Sequence, residues 1–488
     1  MRRRLRRLST RLFERIGLAL LSLGALAGFV LYPTYPNYDS IYSLIWGREL
    51  LSLDRLSFEA YRAPTEHPLA IVFGALLNPL GDSADRVMIF FSVLSFVILV
   101  IAVYLLAKTA FTPLVGFVAA ALLLTRFDYP FLAARGYIDI SYLAVVMIAA
   151  VIEARAPRRR PVLVLGLLAA AGLMRPEAWL LAGLYWLWVF PKADWRKRVR
   201  YAALAAIGPG IWSAVDFAVT GNPLYSLTAT GDLAESLGRN KGIGAVPDAM
   251  YTFLITLTKF PIAVAGAIGL VLAVVLMPRR ALMALALFAT GVGTFAAVGL
   301  AGLSVIDRYL LIASLALMIF AAVFIGGWTM LSKGTIARRV WAVGGAAAVV
   351  IGIAFSVTRV DLDSLDTELA FRSDAHVALK EVLHDPAVQR VLNCGNVYVP
   401  NHKLIADVRW ILDRPQSAVL ARSDTKRLGE PRPKEVTPTR GVAILVHDRL
   451  AIHRQALVTS LDSPDQNLPP PGFDRIAVSD YYAAYARC

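Results

Sequence analysis

The sequence predicts an α-helical polytopic membrane protein with about eleven transmembrane helices and a small extracytoplasmic α/β domain at its C-terminal end. Of the 488 residues, 57% are hydrophobic and 17% are charged, which is more apolar than a soluble core requires. A series of apolar runs long enough to span a bilayer ends near residue 356. After Val357 acidic residues become frequent, which indicates a soluble domain. We therefore divide the chain into a transmembrane part, 1–360, and a soluble domain, 361–488.

The first apolar run, 16–32, follows an Arg-rich start and has two interpretations. It could be a signal peptide, because Ala25-Leu26-Ala27 resembles a cleavage site. The run continues apolar through Leu31, beyond that site, which favours an uncleaved first span with the N-terminus in the cytoplasm.

The distribution of basic residues predicts the topology. Alternate threading of the spans places the Arg- and Lys-rich connectors on the cytoplasmic side, as the positive-inside rule requires, and the C-terminal domain outside a plasma membrane. The net charge of +15 therefore indicates orientation rather than a nucleic-acid partner. The apolar piece Pro68–Leu80 is too short to span and is predicted to be interfacial or re-entrant. The predicted spans are 16–32, 86–107, 110–125, 137–153, 161–174, 178–190, 201–219, 249–277, 281–301, 309–330 and 340–356.

Two of the predicted external loops are long, 32–85 and 220–248. The first contains Asp39 among several aromatic residues, and its segment Ile41–Leu53 has the pattern of an amphipathic surface helix. The second combines a short helical pattern with Gly-rich turns and is longer than a connector needs to be.

In the soluble domain, short apolar patterns at Val391-Leu392, Val397–Val399 and Val442–Val446 predict strands that alternate with helices. The chain has two cysteines, Cys394 and Cys488. Outside the cytoplasm they are a plausible disulfide, whereas the alternative is two unrelated thiols.

Ionisable residues gather at the predicted external ends of the helices. Such residues are expensive at membrane depth, so one shared depth on one side favours a single active site that opens outward. We take Asp39, Asp139 and Glu177 as the catalytic candidates. The whole set is Asp39, Arg126, Asp128, Arg135, Asp139, Arg175, Glu177, Asp307 and Arg308.

Several of these residues also have simpler interpretations. Arg175 and Glu177 could form an ion pair that caps a helix hairpin. Arg308 suits a phosphate because its guanidinium donates two parallel hydrogen bonds, but it could equally be an interfacial anchor beside Tyr309. Asp139 could position substrate, hold a divalent cation or cap its helix.

The sequence contains no nucleotide-binding Gly loop, no His/Cys metal cluster and no Gly-x-Ser-x-Gly elbow. The chemistry therefore falls to carboxylates, arginines and tyrosines. A lone His67 in an interfacial loop is more often structural than catalytic.

The order and common sidedness of five short motifs resemble the GT-C superfamily of membrane glycosyltransferases, which use polyprenyl-phosphate sugars as donors. Those motifs are Tyr38-Asp39-Ser40, Glu66-His67-Pro68-Leu69, Tyr137-Ile138-Asp139, Met174-Arg175-Pro176-Glu177 and Asp307-Arg308-Tyr309-Leu310. The resemblance covers roughly residues 10 to 330, and the chain lacks the second acid beside Asp39 that several branches of the superfamily have.

The resemblance implies that Asp39 is the general base of an inverting transfer to an acceptor hydroxyl of a glycan or glycolipid. Arg308 would bind the donor phosphate, with Arg175 and Lys241 as weaker candidates. Other substrate-binding candidates are Tyr35, Tyr38, Glu66, His67 and Tyr309. A divalent cation, Mg²⁺ or Mn²⁺, is a candidate cofactor, with Asp139 its one candidate ligand.

Two other classes of function stay open at this stage. A lipid-linked-sugar flippase or other transporter would place its charges near the midplane, and the chain shows no internal repeat of the kind that many transporters have. A scaffold that only displays the C-terminal domain would leave the charges at membrane depth without a purpose.

Overall fold

The computed structural model describes residues 2–236, 242–359, 362–422, 438–454 and 467–488 and is mostly helical, with a small C-terminal sheet. This confirms the predicted fold class. The helices before residue 360 are α1 (Arg2–Leu31), α2 (Tyr38–Leu51), α3 (Pro68–Leu77), α4 (Ala84–Ala110), α5 (Pro113–Leu124), α6 (Asp128–Ala134), α7 (Ile138–Arg155), α8 (Pro161–Gly172), α9 (Glu177–Val189), α10 (Trp195–Thr220), α11 (Tyr225–Ser236), α12 (Val246–Thr258), α13 (Phe260–Leu276), α14 (Pro278–Leu300), α15 (Leu311–Gly326) and α16 (Ile336–Arg359). The remaining elements are α17 (Leu362–His384), α18 (Pro386–Val391), β1 (Asn396–Val399), α19 (Ile405–Leu412), β2 (Val419–Ala421), β3 (Gly441–Val446), α20 (Arg449–Arg454), β4 (Asp474–Val478) and β5 (Tyr482–Arg487).

The number of membrane spans is smaller by length and composition than the eleven predicted. Among the described residues six helices are long and apolar enough to cross a membrane, or up to eight if each of two bent pairs is one span. The count of eleven is therefore not confirmed. Helices α3 and α4 lie within one apolar stretch, interrupted at Gly81, whose φ of +56° is not helical. Whether Pro68–Leu80 crosses the membrane stays a prediction.

The predicted span 249–277 is a bent pair rather than one helix. Helices α12 and α13 meet at 104°, with Lys259 between them at a φ of +64°. Pro261 follows at once and has no N–H to donate to the carbonyl of Leu257, so a straight helix would leave that carbonyl unpaired. The Nε of Arg126 donates to the Leu257 oxygen instead, at 3.0 Å.

Helix α2 is buried, so the predicted surface helix over Ile41–Leu53 is wrong. Every residue from Ser40 to Gly47 is buried, because α3 covers one side of α2 and α19 of the C-terminal domain packs against it as well. Glycines permit the close approach to α3: a Cβ on Gly47 would lie 2.3 Å from the backbone nitrogen of Ala75. This packing fixes the helix whose first turn carries Asp39.

Helix α15 is the centre of the transmembrane part. Nearly all of its side chains are buried, and it packs against α5, α13, α14 and α16. The short 3₁₀ turn Asp307–Leu310 leads directly into α15. Arg308 is thereby attached to the most enclosed helix of the bundle.

The C-terminal part forms a five-stranded sheet in the order β2-β1-β3-β5-β4. Strand β1 is parallel to β2 and β3, whereas β5 is antiparallel to β3 and β4. Val397–Val399 and Val442–Val446 lie in strands as predicted, but Val391 ends α18 and Leu392 begins a 3₁₀ turn, so the strand predicted there is wrong. The two-residue pattern was too short to separate a strand from a helix end. A disulfide joins Cys394 to the last residue, Cys488.

Candidate functional site

Asp39 lies in the first turn of α2, and Asn37 fixes the start of that helix. The side-chain oxygen of Asn37 accepts hydrogen bonds from the backbone nitrogens of Asp39 (2.8 Å) and Ser40 (3.3 Å). Its own backbone nitrogen and side-chain amide both donate to the carbonyl of Arg135, at 2.8 and 3.0 Å. A capped helix end tied to a distant loop gives Asp39 a defined place.

Five of the charged residues selected from the sequence form one ion-pair network. The Nη1 of Arg308 lies 3.4 Å from Asp39 Oδ2 and 3.3 Å from Asp139 Oδ2. Arg175 pairs with Asp139 and donates to Glu177 Oε1 from both Nη2 (2.6 Å) and Nε (3.0 Å). Four separate parts of the chain thereby converge, and three carboxylates share two guanidinium groups.

Burial divides this network into an accessible end and an enclosed end. The side chains of Asp39 and Arg308 are 26% and 25% exposed. Those of Asp139, Arg175 and Glu177 are 1%, 6% and 6% exposed. A substrate can therefore reach Asp39 and Arg308 directly, whereas the other three groups are enclosed and contact Arg308 through Asp139. The Arg–Glu pair that offered a simpler interpretation of Glu177 is present, and the catalytic roles of Asp139 and Glu177 stay predictions.

Arg308 keeps part of its hydrogen-bonding capacity free. Only Nη1 contacts the two carboxylates, and Nε and Nη2 have no hydrogen-bond partner among the residues that the structure describes. The guanidinium also lies 5.3 Å from the ring centre of Tyr137, and that of Arg175 lies 5.3 Å from the ring centre of Tyr309. Two adjacent free N–H donors are the arrangement that binds two oxygens of one phosphate.

Glu66 and His67 are both buried beside the network. Burial, followed by the charge of Arg175, lowers the pKa of His67 to about 4, so this histidine is neutral at pH 7. Burial raises the pKa of Glu66 to about 7. Glu66 Oε2 and His67 Nδ1 lack a hydrogen-bond partner within the described part of the chain, which leaves both atoms available to a ligand.

A cavity of about 450 Å³ has Glu66 in its wall, and Asp39 is not among its lining residues. It lies between the loop 58–66 and α11. The Tyr38 hydroxyl donates to the carbonyl of Arg62 in that loop at 3.1 Å, so the cavity wall directly contacts the residue that precedes Asp39. Its polar lining residues are Glu59, Arg62, Thr65, Glu66, Thr228, Thr230, Asp232 and Glu235.

Other selected residues lie outside the network. Arg126 pairs with Asp128 at 3.0 Å and supports the carbonyl of Leu257, which indicates a structural role. Arg135 contacts Tyr35 instead, and Asp307 makes no ion pair among the described residues. Lys241 lies outside the described residues.

The candidate cation at Asp139 does not fit the arrangement present. Both oxygens of Asp139 contact guanidinium groups, so a divalent cation would have to displace Arg175 or Arg308. Among the described residues there is no group of three or more His, Cys, Asp or Glu placed to hold a metal ion. The cation stays a prediction.

Sequence reasoning missed the contribution of the C-terminal domain to this site. His376 of α17 stacks on Tyr35, and His402 lies edge-on to Tyr38. These contacts bring together residues more than 340 positions apart, so no spacing or local pattern could have shown them. The one available signal was Tyr35 and Tyr38 themselves, which lie just before Asp39.

Comparison with known proteins identifies the fold. No protein-family profile and no curated protein sequence matches the chain. Among solved structures, ArnT from Cupriavidus metallidurans bound to undecaprenyl phosphate is similar, with a TM-score of 0.58, 14% identity, and coverage of 96% of this chain and 97% of ArnT. The Archaeoglobus fulgidus oligosaccharyltransferase in its apo form gives a TM-score of 0.51 and 12% identity, covering 95% of this chain and 74% of the other. The chain therefore shares its fold with these two proteins, and its sequence motifs resemble those of the GT-C superfamily.

Proposed function

We propose that this protein transfers a sugar from a polyprenyl-phosphate donor to an acceptor hydroxyl on the outer face of the plasma membrane, with Asp39 as general base. The observation that carries the proposal is the pairing of a partly exposed carboxylate, Asp39, with a partly exposed guanidinium, Arg308, that has unused donors. One group suits the acceptor proton and the other suits the leaving phosphate.

The reaction balances with these two groups. The acceptor oxygen forms a bond to the anomeric carbon, and the bond from that carbon to the phosphate oxygen breaks. The acceptor proton passes to Asp39, and the electron pair of the broken bond stays on the polyprenyl phosphate. Direct displacement of this kind inverts the anomeric centre.

The shared position of Arg308 couples the two halves of the reaction. In the resting site its Nη1 lies between Asp39 and Asp139. When Asp39 takes up the acceptor proton it becomes neutral, and its attraction for Arg308 falls. At the same moment the leaving phosphate gains negative charge, so the positive charge of Arg308 acts where charge develops.

The cavity between the loop 58–66 and α11 is the proposed place for the acceptor. Its volume of about 450 Å³ lies within the usual range of small-molecule sites, about 300 to 1,000 Å³. Carboxylates such as Glu66 accept hydrogen bonds from sugar hydroxyls, and the rings of Phe58 and Tyr61 in the wall suit sugar faces. Tyr38 joins this cavity to Asp39 through its hydrogen bond to Arg62.

The comparisons support this assignment at the level of donor class. One structure with the same fold, ArnT, is bound to undecaprenyl phosphate, which is the type of lipid that the reaction releases. A polyprenyl-phosphate partner, a glycan or glycolipid acceptor and a multi-pass location in the plasma membrane therefore form part of the proposal.

The test is transfer from a labelled polyprenyl-phosphate sugar by the purified full chain. Asp39→Asn keeps the size of the side chain and removes the base, so we expect kcat to fall by about 10²- to 10⁴-fold. Asp82→Asn, at an exposed position of the first long loop, serves as the matched control. Unchanged transfer by Asp39→Asn would refute the base assignment. No transfer by the wild type with any such donor would favour the flippase.

A further inference from the structure

We infer that the C-terminal domain is part of the catalytic apparatus, because His376 and His402 hold Tyr35 and Tyr38, the two tyrosines just before Asp39, and so position the base. The inference rests on the proposed function for the role of Asp39. Both histidines act through the tyrosines, so they are positioning residues and not catalytic ones.

His376 acts on the N-terminal side of Asp39, through Tyr35. The imidazole stacks on the Tyr35 ring with centroids 4.2 Å apart and an interplanar angle of 11°. The guanidinium of Arg135 also lies 4.2 Å from the Tyr35 ring centre. Tyr35 therefore contacts both the C-terminal domain and the loop before α7.

The same loop fixes the helix cap of Asp39. The carbonyl of Arg135 accepts both hydrogen bonds from Asn37, and Asn37 in turn accepts from the backbone nitrogen of Asp39. A continuous set of contacts therefore runs from His376 through Tyr35, Arg135 and Asn37 to the base. Each link is a stacking or hydrogen-bond contact of ordinary length.

His402 acts through Tyr38, the residue directly before Asp39. Its ring is edge-on to Tyr38, at 5.8 Å and 87°. Its Nδ1 lies 3.1 Å from Nη1 of Arg62, whose carbonyl accepts the hydrogen bond of the Tyr38 hydroxyl. Tyr38 immediately precedes Asp39, so a shift of His402 moves the neighbour of the base.

Contacts with the transmembrane part hold the domain in this place. Asp85 of α4 lies 3.4 Å from His376 Nε2 and 3.3 Å from Lys380 Nζ. Arg409 of α19, which is almost fully buried, pairs with Glu49 of α2 at 2.8 Å. Separating Arg409 from Glu49 would leave a buried charge without compensation. The orientation of the domain, and with it that of both histidines, is therefore defined by the transmembrane part.

The experiment compares three variants of the full chain: His376→Ala, which removes the ring; His376→Phe, which keeps a ring for stacking; and His384→Ala. His384 is an exposed histidine on the same helix, and its ring nitrogen contacts only the backbone of Lys380, so it is the matched control. Thermal unfolding establishes that each variant is folded. The readouts are kcat and donor KM for transfer, and backbone hydrogen exchange of residues 35–42.

We expect His376→Ala to lower kcat by about 10- to 100-fold, as a misplaced catalytic group does, with donor KM changed by less than about threefold. Exchange of the Asp39 and Ser40 amides should become faster, since their cap loosens. His376→Phe should restore most of kcat, and His384→Ala should match the wild type.

Wild-type kcat in folded His376→Ala would overturn the inference. So would a loss confined to KM, which indicates direct substrate binding, or an equal loss in His376→Phe, which excludes stacking as the cause. Hydrogen exchange separates this inference from the proposed function: if the wild type transfers no sugar, faster exchange at residues 35–42 in His376→Ala still supports positioning, and unchanged exchange still refutes it.

Discussion

Alanine substitutions of Arg308 and Arg175 should have different effects, because Arg308 lies at the accessible end of the network and Arg175 at its enclosed end. Arg308→Ala removes the donors that we assign to the leaving phosphate. Loss of one preorganised donor to a developing anion typically lowers kcat by about 10²- to 10³-fold, or about 3 to 4 kcal/mol. The stability effect should be small: Arg308 and Asp39 are each about a quarter exposed, and such exposed pairs contribute about 0 to 1 kcal/mol. Asp139 also keeps its second partner, Arg175.

Arg175→Ala should mainly lower the stability of the protein, whereas Arg308→Ala should mainly lower kcat. Asp139 and Glu177 are almost fully buried, and Arg175 is the cation that pairs with both. Removing one partner from a buried ion pair costs about 3 to 5 kcal/mol, because a charge is left without compensation. We therefore expect a large drop in the unfolding temperature of Arg175→Ala and little change for Arg308→Ala.

The assay measures transfer kinetics and thermal unfolding for both variants in one detergent, with Arg279→Ala, an exposed arginine at the start of α14, as the control. Arg308→Lys adds a graded test, since a lysine keeps the charge but loses the planar pair of donors; kcat should fall by about tenfold or more. If Arg308→Ala transferred sugar as well as Arg279→Ala does, the phosphate assignment would be refuted. Equal destabilisation by Arg308→Ala and Arg175→Ala would refute the division by burial.

Two further predictions concern the surroundings of the network. Burial raises the pKa of Glu66 from its usual value to about 7, so its contribution to folded stability is fully present below about pH 4.5 and is lost as pH rises through 7. In thermal unfolding, Glu66→Gln should therefore gain stability relative to the wild type as pH rises from 5 to 8. A difference in stability that stays constant with pH would contradict the raised pKa of the buried acid. Gly47→Ala would place a Cβ 2.3 Å from the backbone of Ala75 and should destabilise the protein by about 1 to 3 kcal/mol or more, whereas Gly210→Ala, with open space around its Cβ, should be close to neutral in the same unfolding experiment.

Five of the nine ionisable residues selected from the sequence form the ion-pair network. Asp39, Asp139, Arg175, Glu177 and Arg308 were selected because an ionisable residue at membrane depth is costly without a purpose, and the structure joins all five. The pairing itself was not predictable, since the two arginines and three carboxylates allow several arrangements. Only the tertiary arrangement of α7, the loop before α9 and the turn before α15 decides that Asp139 receives both guanidinium groups.

Other features depended on tertiary contacts that no local pattern records. Helix α2 contains apolar and aromatic residues. Periodicity can show that one face of a helix is apolar, but it does not show which element covers that face. Two elements cover α2: α3 is near in the sequence, but α19 lies more than 350 residues later in the chain. The stacking of His376 on Tyr35 was also not predictable, because the two residues are far apart in the sequence. A prediction from pattern therefore finds the charged residues and misses the aromatic contacts that hold them.

The arrangement of charge explains why the site needs support from both domains. Three carboxylates around two arginines give an excess of negative charge, which opposes an anionic donor unless Arg308 is held with its free donors toward the substrate. Asp139 provides that hold, and Arg175, which also pairs with Glu177, is the second positive partner of this buried carboxylate. Asp39 has no comparable enclosure and depends on its helix cap and on the two tyrosines beside it. If Arg308 binds the donor phosphate and Asp39 is the base, as we propose, the enclosed charges orient the first group and the C-terminal domain orients the second, so transfer requires both at once.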